Sequence, residues 1–271
     1  MVDSLDEMGK NPQRRKIPRK RKSGKMTAVA PTAASQRTKY CPPADVHQTE
    51  LTQVIQRRGY AVRTGAQLTL LKGINVSDTT IYCAGDLDLF DKTSVAIVGA
   101  RDASQKGLHR AYILAKELSH HGLVIVSGLA RGVDAAAHYG AIDNAGRTIA
   151  VIGTPLDKAT PAENAVLQER IYREHLLVSP FAVGESTYKS SFPKRNRVMA
   201  LLSDATVIVE ASDTSGTLHQ ASECLVQGRW LFILKSVTEN PAVTWPARFV
   251  SNPKTIIVSK TEDILSRIVR G

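Results

Sequence analysis

Apolar residues along this chain fall into short runs separated by longer mixed stretches, and the rhythm becomes regular from Ser94 onward. The runs are Val95–Val98, Val124–Val126, Thr148–Ile152, Leu176–Val178, Thr206–Val209, Trp230–Leu234 and Thr255–Val258, most of them rich in β-branched residues. Unbroken apolar runs of this length are the pattern of strands buried on both faces. Most of the gaps hold a segment of helical length: Leu108–His120, Asp134–Ala145, Glu163–Glu174, Arg195–Ser203 and Leu218–Gln227. Strands alternating with helices need parallel pairing and crossover connections. The expected fold is therefore α/β, a doubly wound, mostly parallel Rossmann-like sheet with helices on both faces.

Upstream of this domain, which is assigned residues 93–271, the pattern is weaker. Residues 45–92 read as a small α/β preface, with a helix over Val46–Arg58 and short strands at Gln67–Leu71 and Thr80–Cys83. Residues 1–44 show no period. Lys10 to Lys25 is a run of Lys, Arg, Pro and Gly, and Ala28 to Gln36 is small and polar, so this stretch reads as a disordered basic tail. Such a tail serves either as a solubilising arm or as a nonspecific contact to nucleic acid.

Charge sharpens the picture. The formal net charge is +11, yet residues 1–40 hold 11 Lys/Arg against 3 Asp/Glu while the other 231 residues hold 25 against 22. The folded part must therefore concentrate its cations locally if it holds a polyanion. Cys41, Cys83 and Cys224 are far apart and form no CxxC pair, which leaves neither a disulfide framework nor a zinc site. No apolar run approaches the ~20 residues that span a bilayer, and no apolar h-region follows the basic N-terminus. The expected location is the cytoplasm.

In a doubly wound sheet, ligands bind beyond the carboxyl ends of the strands. Gly99-Ala100-Arg101 follows the first strand, Ser127-Gly128-Leu129-Ala130-Arg131-Gly132 the second, and Gly153-Thr154-Pro155 the third; Glu210 and then Ser215-Gly216-Thr217 follow the fifth. Glycine lets backbone amides approach an anion, and the helix N-termini behind such turns add positive dipole. Ser127, Ser215 and Thr217 can donate hydroxyl hydrogen bonds to phosphate, and Arg101 and Arg131 can make charge-assisted contacts. Tight strand-to-helix geometry explains any one of these turns. Four together, with hydroxyls and arginines, point to an anion site. The first turn, GARDASQKG, lacks GxGxxG, which argues against a dinucleotide enzyme.

A second feature is Ser191-Phe192-Pro193-Lys194-Arg195-Asn196-Arg197, with three cations in four residues where a loop enters a helix. Tyr188 and Lys189 precede it. Cations beside an aromatic supply charge for phosphate and a π-face for a base, with stacking contributing ~1–3 kcal/mol per base on single strands. The competing account is a solvated helix start with Phe192 in the core. Cations at a helix N-terminus oppose its dipole, a local cost that points to a use. Elsewhere, His138 reads as packing, His120-His121 as a helix end, Asp134 as a helix cap, and Trp230 and Phe232 as core. No cluster has metal-ligand spacing, and no cofactor is expected.

These motifs in this order resemble the DprA/Smf family of DNA-processing proteins. The residues that carry the likeness are VAIVGAR (95–101), VIVSGLARGVDAAAH (124–138), AGRTIAVIG (145–153), PAEN (161–164), FPKRNRVMALLS (192–203), VIVEA (207–211), SGTL (215–218) and QGR (227–229), with a weaker match at KTEDIL (260–265). The resemblance implies a homodimer that binds single-stranded DNA, protects incoming strands and helps load a RecA-type recombinase in natural transformation. It further implies that Arg101, Ser127, Gly128 and Arg131 line a phosphate pocket and that Lys194, Arg195 and Arg197 hold the strand. Phe192 would lie against a base, and Ser215, Gly216 and Thr217 would close the crevice. The chain departs from the family pattern at Thr154-Pro155, at Ser179-Pro180-Phe181 and in HQASECLV after SGTL.

Two alternatives share the fold. LONELY GUY-type phosphoribohydrolases, which cleave nucleoside monophosphates, have a comparable pattern, but Gln220 stands where their catalytic carboxylate falls, with Glu223 one helical turn further on. A sensor of a nucleotide derivative would use the same crevice without catalysis. The reading carried forward is single-stranded DNA binding without catalysis, with slight sequence preference because backbone contacts dominate.

Overall fold

The structure, a computed structural model, describes residues 39–60 and 79–268. The strand expected at Gln67–Leu71 and residues 1–38 of the basic tail lie outside the described residues. The strands are β1 (His47–Glu50), β2 (Thr80–Gly85), β3 (Ser94–Val98), β4 (Val124–Ser127), β5 (Thr148–Val151), β6 (Leu176–Ser179), β7 (Ala205–Ile208), β8 (Trp230–Leu234) and β9 (Thr255–Val258). They form one sheet in the order β1-β2-β6-β5-β4-β3-β7-β8-β9. The seven strands from β6 to β9 in that order are parallel, and β1 and β2 add an antiparallel edge. The edge is continuous with the main sheet, because β2 pairs with β6 through Cys83↔Val178 and Ala84↔Leu177.

The helices are α1 (Leu51–Arg57), α2 (Gln105–His120), α3 (Val133–Ile142), α4 (Ala165–Glu174), α5 (Ser191–Leu202), α6 (Thr217–Val226), the single turn α7 (Lys235–Thr238) and α8 (Thr261–Ile268). Strand residues alternate between the two faces. Ala96, Val98, Val126, Val151 and Ile208 pack under α1, α5 and α6. Val95, Ile97, Ile125 and Val207 pack under α2, α3 and α8, and α4 covers Ala150, Ile152 and Leu177. Each fully buried Val, Ile or Leu among them contributes about 1.5–3 kcal/mol relative to exposure.

Two sequence expectations shift. Val46–Arg58 is not one helix: its first residues pair with β2 (His47↔Cys83 to Glu50↔Thr80), and only Leu51, Val54 and Ile55 keep the buried helical spacing of α1. Pairing to a ready sheet edge overrides local helix preference there. Helix α5 begins at Ser191, four residues before Arg195, so Phe192-Pro193-Lys194 forms its first turn. Proline is tolerated there because its missing N–H has no partner in the first turn of a helix.

Beneath the sheet's amino-terminal rim, Asp204 joins β3 to β7. Its carboxylate accepts from the Ser94 amide at 2.7 Å and from Arg58 Nη2 at 2.7 Å, and Tyr60 donates its hydroxyl to the other oxygen. On the α3 face, His138 is fully buried and its Nδ1 lies 2.7 Å from Thr148 Oγ1. Burial, with the neighbouring His175 and Arg195, pushes His138 down to about 3, and burial lowers His175 to about 4.

Both imidazoles are therefore neutral in the folded protein at pH 7, whereas an unfolded histidine takes up a proton below about pH 6.5. Their contribution to stability is complete above that value and is lost as the pH falls toward 3. Urea midpoints should drop between pH 7 and pH 4.5, and His138→Asn should flatten that drop. Separately, Asp204→Ala leaves the Arg58 guanidinium buried without its partner and should cost on the order of 3 kcal/mol in urea denaturation.

Candidate functional site

The chain order places β3 between β4 and β7, so consecutive connections run to opposite sides of it. The turns leaving β3 and β7 diverge and open a crevice of about 630 Å³ at their carboxyl ends. Its walls are Gly99–Asp102 after β3, Glu210–Ser212 after β7, and the first turns of α5 and α6.

At the crevice Arg101 is exposed, and its guanidinium carbon stands 5.4 Å from the centre of the half-buried Phe192 ring. The ring also packs against Gly153. Across from them Gly216 precedes α6 with open space where a Cβ would be, and Ser215 Oγ accepts from the Thr217 amide at 3.2 Å. Ser215 donates its hydroxyl to Thr217 Oγ1 at 2.9 Å, and Thr217 donates in turn to the Gly99 carbonyl at 3.2 Å. Those hydroxyls brace the α6 turn against the β3 turn, while the helix N-terminus presents its positive end to the crevice.

Arg195 is only 6% exposed and forms part of the crevice floor. Its Nη1 donates to the carbonyls of Gly128 and, at 2.9 Å, of Val151, joining α5 to the ends of β4 and β5. A Cβ at Gly128 would lie 1.8 Å from that nitrogen. Gly128 is thus required for close approach by the guanidinium. Gly132 has φ +76°, and a Cβ there would lie 2.3 Å from the Ala100 carbonyl oxygen, so this glycine lets two crevice turns touch. Asp134 sits beside Gly128, buried, and accepts from the Ala130 amide at 3.4 Å. Burial raises its carboxyl from the ordinary value while Arg195 opposes the rise; burial likewise lowers Arg195, opposed by Asp134.

The remaining expected residues lie elsewhere. Ser127 is buried, its hydroxyl donated to the Ile97 carbonyl at 2.7 Å, which ties β4 to β3. Arg197 is buried in an ion pair with Glu223 at 3.1 Å, joining α5 to α6. Lys194 is half-buried outside the crevice lining, with its Nζ 5.1 Å from the centre of the Phe181 ring. Arg131 is exposed and faces Glu163 at 3.5 Å and Asp102 at 3.9 Å. The crevice therefore gathers Arg101, Phe192, Arg195, Ser215, Gly216 and Thr217, with Gly128 directly beneath Arg195.

Three contributors were not among the expected binding residues. Glu210 holds the start of α2, accepting from the Ser104 amide at 2.8 Å and hydroxyl at 2.6 Å. Asn164 donates to the carbonyls of Leu129 at 2.9 Å and Ala130 at 3.2 Å. It thereby secures Leu129, a buried leucine held at φ +57°, a conformation that costs non-glycine residues roughly 1–2 kcal/mol. PAEN was the available signal for Asn164; a left-handed leucine has no sequence signature. The third is Asp134, whose proximity to Arg195 depends on the turn between them. Gln220 lines the crevice, buried, with Nε2 donating to Thr206 Oγ1 at 3.3 Å, whereas Glu223 is engaged by Arg197 outside the crevice lining.

Sheet order defines a Rossmann-like α/β protein with a crevice at its topological switch point. The family model of DNA recombination-mediator protein A matches residues 60–269, and the chain belongs to that family. It is 41% identical to the DNA processing protein DprA of Streptococcus pneumoniae over 57% of this chain and 54% of the relative. It is 33% identical to DprA of Bacillus subtilis over 73% of this chain and 67% of the relative, and 33% identical to protein Smf of Escherichia coli over 70% and 51%. The chain thus spans about half the length of the first and third of these relatives. The crystal structure of S. pneumoniae DprA superposes with a TM-score of 0.67 at 33% identity, covering 77% of this chain and 72% of that one. The Helicobacter pylori DNA processing protein A, whose structure is described as revealing a single-stranded DNA binding mode, superposes with a TM-score of 0.63 at 28% identity, covering 76% and 93%. Among the described residues no helix is long and apolar enough to cross a membrane, and no group of three or more His, Cys, Asp and Glu could hold a metal ion.

Gly128→Ala should displace Arg195 from both carbonyls. The expected cost is about 2 kcal/mol, in the range for overpacking a dense interior, and chemical denaturation would measure it.

Proposed function

We propose that this chain is a DNA-processing protein that holds single-stranded DNA by its phosphate backbone along the switch-point crevice, without catalysis. The observation that carries the reading is the Arg101–Phe192 pair beside the N-terminal turn of α6. An exposed guanidinium over an aromatic ring offers phosphate a charge and a base a stacking plane, and the helix terminus offers a second phosphate its dipole. Arg131 faces the crevice residue Asp102 at 3.9 Å, and Lys194 follows the crevice residue Pro193 in the first turn of α5. The single-strand binding mode described for the H. pylori relative supports the choice of ligand.

The crevice carboxylates restrict where phosphates can run. Asp134 lies beside Arg195, and Glu210 is engaged by Ser104, so both are partly compensated. Asp102 is exposed, with Arg131 at 3.9 Å. A strand would therefore follow the rim from Lys194 past Arg101 to Gly216 and avoid the floor. The absence of a carboxylate at position 220 and the engagement of Glu223 by Arg197 favour binding over phosphoribohydrolase chemistry. A cleft of about 630 Å³ is also of a size that suits one nucleotide derivative, and salt dependence separates the two ligands. On the same reading the protein acts in the cytoplasm as a homodimer that protects incoming strands and passes them to a RecA-type recombinase. Family membership is the support for that role.

Arg101→Ala should weaken binding of a labelled oligo(dT) about tenfold, the scale of one charge-assisted contact, and reduce the salt slope by about 0.7. Lys194→Glu should weaken it further, with thermal melting unchanged for both variants. Arg195 is unsuitable for charge reversal because its guanidinium is part of the fold. A wild-type slope near zero, together with full competition by a mononucleotide, would identify the small-ligand alternative.

A further inference from the structure

We propose a second anion site at the opposite, amino-terminal rim of the sheet, where a recess walled by Arg58, Lys92, Arg229, Lys254 and Arg267 binds the phosphodiester backbone of nucleic acid. The proposal goes beyond the crevice reading and rests on it only for the kind of polymer bound. The recess has a volume of about 980 Å³ and shares no lining residue with the crevice.

Charge separates the two rims. Six Arg and Lys line the recess (those five and Arg57) against two carboxylates, Asp91 and Asp204, an excess of four. The crevice lining holds Arg101 and Arg195 against Asp102, Asp134 and Glu210, an excess of one negative charge. Residues 41–271 as a whole carry a net charge of only +3, so much of the domain's positive potential is collected at this rim. Both recess carboxylates are already engaged: Asp91 pairs with Arg57 at 2.7 Å and Asp204 with Arg58 at 2.7 Å. Lys92, Arg229, Lys254 and Arg267 form no ion pair with a carboxylate among the described residues, although Arg229 feels the charge of Asp204.

Helices α2 and α6 end at this rim, and cations suit their exposed carbonyls. That accounts for Lys254, whose Nζ donates to the Gly228 carbonyl at 2.8 Å. Arg267, in the last turn of α8, suits its helix end in the same way; Lys92 and Arg229 lie in no helix and form no such bond with the described residues. Arg229 carries most weight here. It is 5% exposed, its guanidinium carbon is 3.0 Å from the Tyr60 ring centre, and its Nε has no hydrogen-bond partner. A buried cation with an unmet donor, whose counter-charge Asp204 is already paired with Arg58, is costly unless something brings a further anion to it. Lys254 and Arg267 both lie over the Trp230 ring, at 5.1 Å and 5.4 Å, so an aromatic holds two of the cations at the recess. Several fixed cations around one hollow suit a repeating phosphate better than a single small anion.

The test uses the full chain and measures binding of a labelled oligo(dT) across a salt series. Lys92→Ala/Lys254→Ala/Arg267→Ala removes three exposed cations and leaves Arg229 in place, so thermal melting should be unchanged. The triple variant is expected to lose at least tenfold in affinity and about 2 from the salt slope, at about 0.7 per phosphate contact on a single strand. In an Arg101→Ala/Lys194→Glu background, which disables the crevice rim, salt-steep binding should persist, and adding the triple variant should remove it. A triple variant with wild-type affinity and slope overturns the second site and leaves the crevice reading intact; unchanged binding in the double variant overturns the crevice reading and leaves the second site standing. With a labelled duplex as probe, loss in the same triple variant would extend the site to double strands. Displacement of oligo(dT) from the double variant by micromolar inorganic phosphate would show a single-anion pocket and overturn the polymer site.

Discussion

The parallel pairing of β3 with β4 on one side and β7 on the other is the constraint from which the architecture follows. Parallel neighbours need crossover helices, and a chain that builds outward from β3 in one direction and later resumes on its other side must send its connections apart. The gap between them is the crevice, and it exists before any side chain is chosen. The register Val95↔Ala205 to Val98↔Ile208 fixes the two strands that frame it, and Asp204 secures their opposite ends.

Around that gap, residues that look like ligand-binding groups in the sequence divide into two kinds. Helical periodicity decides the division in FPKRNR. Arg195 and Arg197 are buried, one joining α5 to the ends of β4 and β5 and the other joining it to α6, whereas Lys194 is half-buried with its ammonium by the Phe181 ring. The glycines divide similarly. Gly128 and Gly132 make room for a guanidinium and for a neighbouring turn, whereas Gly216 remains open beside the crevice. A guanidinium buried against carbonyls is a rigid support, and rigidity there sets the spacing of the groups that remain exposed.

The electrostatic contrast between the rims adds a second layer. Helix N-termini bring positive dipole to the carboxyl rim with few surplus charges. The amino rim receives helix C-termini and a surplus of arginine and lysine. A polyanion can therefore be attracted by dipoles and amides at one end of the sheet and by full charges at the other, two mechanisms with different sensitivity to salt.

Much of the fold was determined by the sequence alone. A strand buried on both faces must be apolar throughout, so the seven parallel strands and their intervening helices stood out, and the glycine-rich turns marked the rim where a crevice would form. The edge strand β1 did not, because residues 47–50 carry no strand pattern and become extended only by pairing with β2. The direction taken by each charged side chain was likewise decided only by the tertiary structure. Whether Arg195 meets solvent or the carbonyls of Gly128 and Val151, and whether Lys92, Arg229, Lys254 and Arg267 share one hollow, depends on segments far apart in the chain. A one-dimensional pattern records how apolar a position is, whereas a charged residue's role depends on the partners that folding brings within a few ångströms of it.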